Sequence, residues 1–127
     1  MGKYKIRETK SGFKFDLLAT NGQVIASSQV YKALNSCKKG INSVSRVAPA
    51  AGIEDQVTVP VDSAEYKKLP HPKFELYMDK SGEYRFRLKA RNGQIVAVSE
   101  GYSTIKNCIK GVESVKKNAG DAEIVRG

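Results

Sequence analysis

The chain repeats itself, and this constrains its folding more than any other property it has. "NGQVIASSQVYKALNSC" at Asn21–Cys37 returns as "NGQIVAVSEGYSTIKNC" at Asn92–Cys108, a shift of 71 residues. The same shift carries Phe15 to Phe86, Leu17 to Leu88, Tyr31 to Tyr102, Gly40 to Gly111 and Val44 to Val115. Upstream, "KSG" at Lys10–Gly12 matches "KSG" at Lys80–Gly82 with a shift of 70, so the second copy holds one extra residue, as a bulge or in the turn. Self-similarity of this kind means that one supersecondary unit is used twice. A unit of about 60 residues is marginal alone, so the copies are expected to share a core.

The hydrophobic period changes in the same order in each copy. "KYKIRE" places Tyr4 and Ile6 on one face and Lys3, Lys5 and Arg7 on the other, and "KFELYMD" does the same with Phe74, Leu76 and Met78. A Ser-Gly turn leads to "FKFDLLA" and "YRFRLKA", which alternate again. Asn21-Gly22 and Asn92-Gly93 then predict two-residue hairpin turns with a pair of positive φ angles. "QVIAS" and "QIVAV" are apolar at successive positions, as expected of central strands buried on both faces. After Tyr31 and Tyr102 the period lengthens. Leu34, Cys37, Ile41, Val44 and Ala48, and likewise Ile105, Cys108, Val112, Val115 and Ala119, recur at helical spacing. Gly40 and Gly111 inside these helices predict a close approach to the sheet or the other helix. "QVTVPV" at Gln56–Val61 and "AEIVR" at Ala122–Arg126 read as closing strands, and "DSAEYKKLPHP" between the copies reads as a linker. The expected organisation is a first unit at 1–59, a linker at 60–72 and a second unit at 73–127, forming one compact domain. Each copy therefore reads as a β-β-β-α-β unit, and the class is α+β.

In the second copy, "FELYMDKSGEYRFRLKARNGQIVAVSEGYST" and "GVESVKKNA" resemble the YegP-like proteins, a small bacterial family in which this unit occurs singly or as a tandem pair. "SSQVYKA" and "SVSRVA" stand at the matching places of the first copy. Both copies carry Lys-Gly, at Lys39-Gly40 and Lys110-Gly111, where the family usually has Asn-Gly. The resemblance implies two such units related by a pseudo-two-fold axis and joined in one continuous, mostly antiparallel sheet, with both helices on one face and the C-terminal strands exchanged between the units; it implies no established biochemical function.

Little here supports catalysis, and no enzyme activity is expected. The single histidine, His71, lies between Pro70 and Pro72 in the linker, without the preorganisation a general base needs. Cys37 and Cys108 lack the paired spacing of a zinc site and read as core residues of the two helices. No glycine-rich phosphate loop is present, and Glu54-Asp55 and Asp121 fall where turns or caps explain them. No cofactor or metal is expected. The N-terminus lacks the apolar stretch of a signal peptide, and no run approaches the roughly 20 apolar residues of a membrane span, so a cytoplasmic, non-membrane monomer is expected.

Charge is the remaining signal. The net charge is +9, distributed as +5, 0 and +4 over residues 1–59, 60–72 and 73–127. In "YRFRLKAR" the alternation that turns Phe86, Leu88 and Ala90 inward turns Arg85, Arg87, Lys89 and Arg91 outward. With both helices on one side, these cations and Tyr77 would lie on the open side of the sheet, beside Lys5, Arg7 and Lys14 of the first copy. Cations with an aromatic ring suit single-stranded nucleic acid or another polyanion. A solvated face that merely keeps the protein soluble is the competing explanation, and Glu75 and Asp16 interrupt the stripe. The first helix forms a second basic surface with Lys32, Lys38, Lys39 and Arg46 and no acid after Ser28, whereas Glu113 balances the second helix. The expectation is a small non-catalytic binding or structural module of unestablished function, with nucleic-acid binding through the open face as the alternative.

Overall fold

The computed structural model describes residues 2–59, 62–120 and 122–127. In chain order, β1 (Lys3–Thr9), β2 (Gly12–Leu18) and β3 (Val24–Ser27) lead into α1 (Leu34–Val47), a single 3-10 turn at Ala48–Ala50 and β4 (Gly52–Asp55). The second copy repeats this as β5 (Lys73–Met78), β6 (Tyr84–Lys89), β7 (Ile95–Val98), α2 (Ile105–Asn118) and β8 (Glu123–Arg126). All eight strands form one sheet in the order β4-β5-β6-β7-β3-β2-β1-β8, which reads the same from either end when the copies are exchanged. The halves meet at the centre, where Ser27 of β3 lies opposite Val98 of β7. At the rims, β4 runs parallel to β5 of the other copy and β8 runs parallel to β1. The closing strands are therefore exchanged, and the α+β class and pseudo-two-fold arrangement are those expected.

Alternation along the long strands supplies one wall of the core. Tyr4, Ile6, Phe15 and Leu17, with Phe74, Leu76, Phe86 and Leu88 from the second copy, are at most 1% exposed. Cys37, Ile41 and Val44 of α1 and Cys108, Val112 and Val115 of α2 close the core from one side. Each buried Leu or Phe contributes on the order of 2 kcal/mol. The helical glycines have a local reason. A Cβ on Gly40 would come within 2.4 Å of the Tyr31 hydroxyl, and one on Gly111 within 2.4 Å of the Tyr102 hydroxyl. The close approach is to the tyrosine of the same copy and, at 3.1 Å, to Phe15 or Phe86 of the sheet, on which that tyrosine ring stacks.

Three local expectations are corrected. The strand expected at Gln56–Val61 lies earlier, at Gly52–Asp55; residues 56–59 are bends, and Pro60 and Val61 lie outside the described residues. Asp55 turns the chain there, its carboxylate accepting from the Val57 and Thr58 amides. The Asn-Gly hairpins are three-residue loops, because Ala19 N–H donates to Gln23 and Ala90 N–H to Gln94, with only the glycine at positive φ. A type I turn closed by one left-handed glycine produces this pattern. The extra residue of the second copy lies in its first turn, one of the two places expected for it: Asp79 N–H donates to Glu83 there, against a two-residue turn between Thr9 and Gly12. Finally, β3 and β7 are central but not covered on both faces, since Val24 and Ile95 are 40% and 43% exposed.

Candidate anionic-ligand face

The face opposite the helices carries the side chains that the sequence marks as basic. In register across β5 and β6, Lys73 lies opposite Lys89, Glu75 opposite Arg87 and Tyr77 opposite Arg85. The pairing of β4 with β5 sets Glu54 beside Glu75. Here the face is an ion-pair network. Lys73 Nζ is 2.7 Å from Glu54 and 3.4 Å from Glu75, while Arg87 Nε and Lys89 Nζ reach Glu75 at 2.6 and 3.2 Å. The Arg87 guanidinium also lies 4.4 Å from the centre of the Tyr77 ring. Arg85 is held by Asp79 at 2.6 Å and donates to the Ser99 carbonyl. Arg91 lies beyond β6, exposed in the turn before β7, and with Arg46 and Val47 of α1 it bounds a hollow on the helix side. The strand richest in cations is therefore largely neutralised from within.

Burial makes this network unusual. Lys73, Glu54 and Glu75 are 1%, 2% and 4% exposed although they point away from the core. The linker is the reason: the Leu69 amide donates to Glu54 at 2.7 Å, the Tyr66 hydroxyl donates to the other oxygen of Glu54, and Leu69 packs on Gly52. Residues 62–72 contain no helix or strand, yet they lie over the β4 edge of the open face. Burial pushes the Glu54 carboxyl up, but hydrogen bonds from Lys73, Tyr66, Gln56 and the Leu69 amide outweigh it and bring the group down to about 2. Glu75 is likewise raised by burial and brought below the usual carboxylate range by Arg87 and Lys89. Lys73 is lowered by burial but raised on balance by Glu54 and Glu75.

The first copy presents the opposite situation. The shift of 70 places Lys3, Lys5 and Arg7 where the second copy has Lys73, Glu75 and Tyr77. No linker covers them, and all three are exposed. Arg7 pairs with Asp16 at 2.9 Å, and the Asp16 carboxylate also accepts from Ser27. Among the described residues, Lys3, Lys5 and the half-buried Lys14 make no ion pair. Sequence reasoning placed Lys5, Arg7 and Lys14 only beside the β6 stripe, because how far Glu75 and Asp79 neutralise that stripe depends on the register. It also missed the network of Glu54, Tyr66 and Lys73, whose members meet only through the parallel β4–β5 pairing and the linker.

His71 packs against Gly93 in the β6–β7 turn. Cys37 and Cys108 are buried free thiols; burial raises both, Cys108 to about 11, with Arg126 partly offsetting the rise at Cys37. No described helix is long and apolar enough to cross a membrane.

Comparison with known proteins agrees with this duplicated architecture. Residues 9–55 and 79–125 each match a domain of unknown function, DUF1508. A UPF0339 protein of Methanosarcina acetivorans is 62% identical over 53 residues, 42% of this chain and 91% of that protein, which therefore has room for a single copy. The UPF0339 protein YegP of Yersinia pestis is 34% identical over 119 residues, 93% of this chain and 88% of that protein. The solution NMR structure of the E. coli protein yegP, described as a protein of unknown function, is similar to this fold with a TM-score of 0.78 and 27% identity, covering 99% of this chain and 92% of that one. With both repeats matched and a 34% identical relative aligned over nearly the whole chain, the chain belongs to the DUF1508 family, the YegP-like proteins of unknown function.

Proposed function

We propose that this protein is a non-catalytic binding module that takes a polyanion, single-stranded nucleic acid being the form to test, on the open face of its sheet. The observation that carries the reading is the exposed Lys3 and Lys5 on β1, which make no ion pair among the described residues, with Lys14 on β2 opposite Arg7. The network around Glu75 supports them as a rigid neighbouring surface, with Arg85, Arg87, Lys89 and Tyr77 at its border. These border cations have partners to give up before they contact a phosphate, so the first copy leads the binding. The non-catalytic reading rests on how the titratable groups are held. Glu54 and Glu75 lie well below neutrality and the thiols above it, away from the range in which a general acid or base works best. The two free thiols agree with a reducing cytoplasm. The chain acts as a monomer, joining its own halves along the seam where single-copy relatives would pair two chains.

The test is binding of a labelled single-stranded oligonucleotide as a function of salt. Neutralising phosphates releases counterions, so the logarithm of affinity should fall linearly with the logarithm of salt, by about 0.7 per phosphate contacted. The double substitution Lys3→Glu and Lys5→Glu should flatten that slope by about 1.4, the equivalent of two contacts. Arg87→Gln, which breaks a pair already made, should lower stability more than it weakens binding. No measurable binding at low salt, or a slope unaltered by the β1 substitutions, defeats the proposal.

A further inference from the structure

The helix side of the molecule carries a second feature, independent of the open face. Each helix runs beside the second hairpin turn of the other copy, leaving a groove built from both repeats. Along α1 this groove opens as a cavity of about 240 Å³ whose polar lining includes Tyr31, Lys39, Ser43, Asn92 and Gln94. Along α2 a cavity of about 300 Å³ is lined by Tyr102, Lys110, Ser114, Asn21 and Gln23. These are the same five residue types, related pair by pair by the shift of 71. The chain therefore holds one polar constellation twice, each time across the seam between the copies.

Within each groove the tyrosine is only half-buried, and among the described residues its hydroxyl has no hydrogen-bond partner on the protein. The helical glycine beneath it leaves room for that hydroxyl at the groove floor. A free hydroxyl, an ammonium group, a serine and two amides facing one small cavity form a donor-rich site.

The two grooves differ where each continues to the next turn of its helix. Beyond the α1 cavity lies a hollow of about 170 Å³ bounded by Arg46, Val47 and Arg91, with no acidic side chain among the described residues that line it. Two arginines lining one hollow suit an anion that accepts from both. In the α2 groove, Thr20 and Lys117 stand in the places of Arg91 and Arg46, and Glu113 lines the hollow with them. The acid-free run of α1 and the outlying Arg91, which the open face leaves unexplained, meet here.

We infer that the α1 groove is a binding site for a small phosphate monoester. Its phosphate sits between Arg46 and Arg91, and its polar body lies along Lys39, Ser43, Asn92 and the Tyr31 hydroxyl. The α2 groove keeps the polar half of the site and has lost the phosphate half to Glu113 and Thr20.

An amide-resolved NMR titration of the whole chain tests this, using inorganic phosphate, ribose 5-phosphate and unphosphorylated ribose as separate probes. Saturable shifts are expected at Ser43, Arg46, Arg91 and Asn92 below about 20 mM for both phosphate-bearing probes, tighter for ribose 5-phosphate, and absent for ribose. Arg46→Gln and Arg91→Gln should each weaken ribose 5-phosphate about tenfold, the loss of one charge-assisted hydrogen bond. The pair Thr20→Arg and Glu113→Gln should create saturable shifts in the α2 groove, a gain that disrupted folding cannot mimic. Shifts confined to Lys3, Lys5 and their strand would assign phosphate to the open face alone and overturn the inference, as would equal response of the two grooves in the unaltered protein. Equal affinity for inorganic phosphate and ribose 5-phosphate would remove the claim on the monoester body. Loss of oligonucleotide binding on substituting Lys3 and Lys5, with these shifts intact, would separate the two sites.

Discussion

Lys73 and Glu54 form the costliest pair in the molecule to disturb, since both are almost fully withdrawn from water on the face that lacks helices. Removing one partner of a buried pair strands the other, at about 3 kcal/mol or more, whereas replacing both by uncharged groups of similar shape is close to neutral. Glu54→Gln and Lys73→Met are each expected to lower stability by about 3 kcal/mol in urea denaturation, and the double substitution to fall well short of their sum. Strict additivity would show that the two charges are not coupled. The same pair predicts a pH dependence with a definite sign. The Glu54 carboxyl lies at about 2 in the folded protein against 4.5 ordinarily, so the unfolded chain binds the extra proton first as acid is added. Its contribution, on the order of 3 kcal/mol, is therefore complete above about pH 5 and is lost as pH falls toward 2. Measured from pH 6 down, stability of the Glu54→Gln variant should fall less steeply than that of the parent. The network was not legible in the sequence, where Glu54 reads as a turn residue and Glu75 as a break in the basic stripe, because only the β4–β5 pairing and the linker bring Glu54, Tyr66, Lys73 and Glu75 together. The cations of β6 were legible as a stripe, but their neutralisation by Glu75 and Asp79 requires the register.

At the scale of elements, legibility depended on length. The two helices and the long strands β1, β2, β5 and β6 hold enough alternating or helical positions for their period to declare itself, and they lie where that period places them. The four-residue β4 does not. "QVTVPV" imitates a strand better than "GIED", which forms one because it leaves the 3-10 turn beside the free edge of β5. Helix starts show how two nearly identical elements differ in stability. Thr104 caps α2, its hydroxyl accepting from the Asn107 amide at 3.1 Å, whereas Ala33 occupies the equivalent place before α1 with almost the same backbone angles and no side-chain cap. A threonine at such a position is worth about 1 kcal/mol over alanine. Ala33→Thr is thus expected to stabilise the protein by up to about 1 kcal/mol, and Thr104→Ala to destabilise it by a similar amount, measured by urea denaturation. Opposite effects of similar size would confirm that the missing cap, not a difference in packing, separates the two helix starts. No change in either would mean that tertiary contacts alone set these ends.

For the whole molecule, strand exchange decides whether the copies behave as two bodies or one. Each half of the sheet ends in a strand supplied by the other copy, and each helix lies across its own second strand and the other copy's third. Two further ties cross the seam: the buried Tyr4 hydroxyl donates to the Ala119 carbonyl at the end of α2, and Ser45 of α1 donates to Gly120. Unfolding one copy would strip the other of a rim strand and part of its roof, exposing apolar surface that the remaining half has nothing to cover. A single cooperative transition follows, although the sequence consists of two similar segments. Leu17 and Leu88, equivalent under the shift and both fully buried, provide the test. Leu17→Ala and Leu88→Ala are each expected to cost about 3 kcal/mol. Each should also lower hydrogen-exchange protection in β2 and β6 together, because the slowest amides of both copies open only through global unfolding. Autonomous copies would instead give two transitions, with Leu88→Ala leaving the β2 amides as protected as before; that result would reduce the exchanged strands to a loose clasp between separate domains.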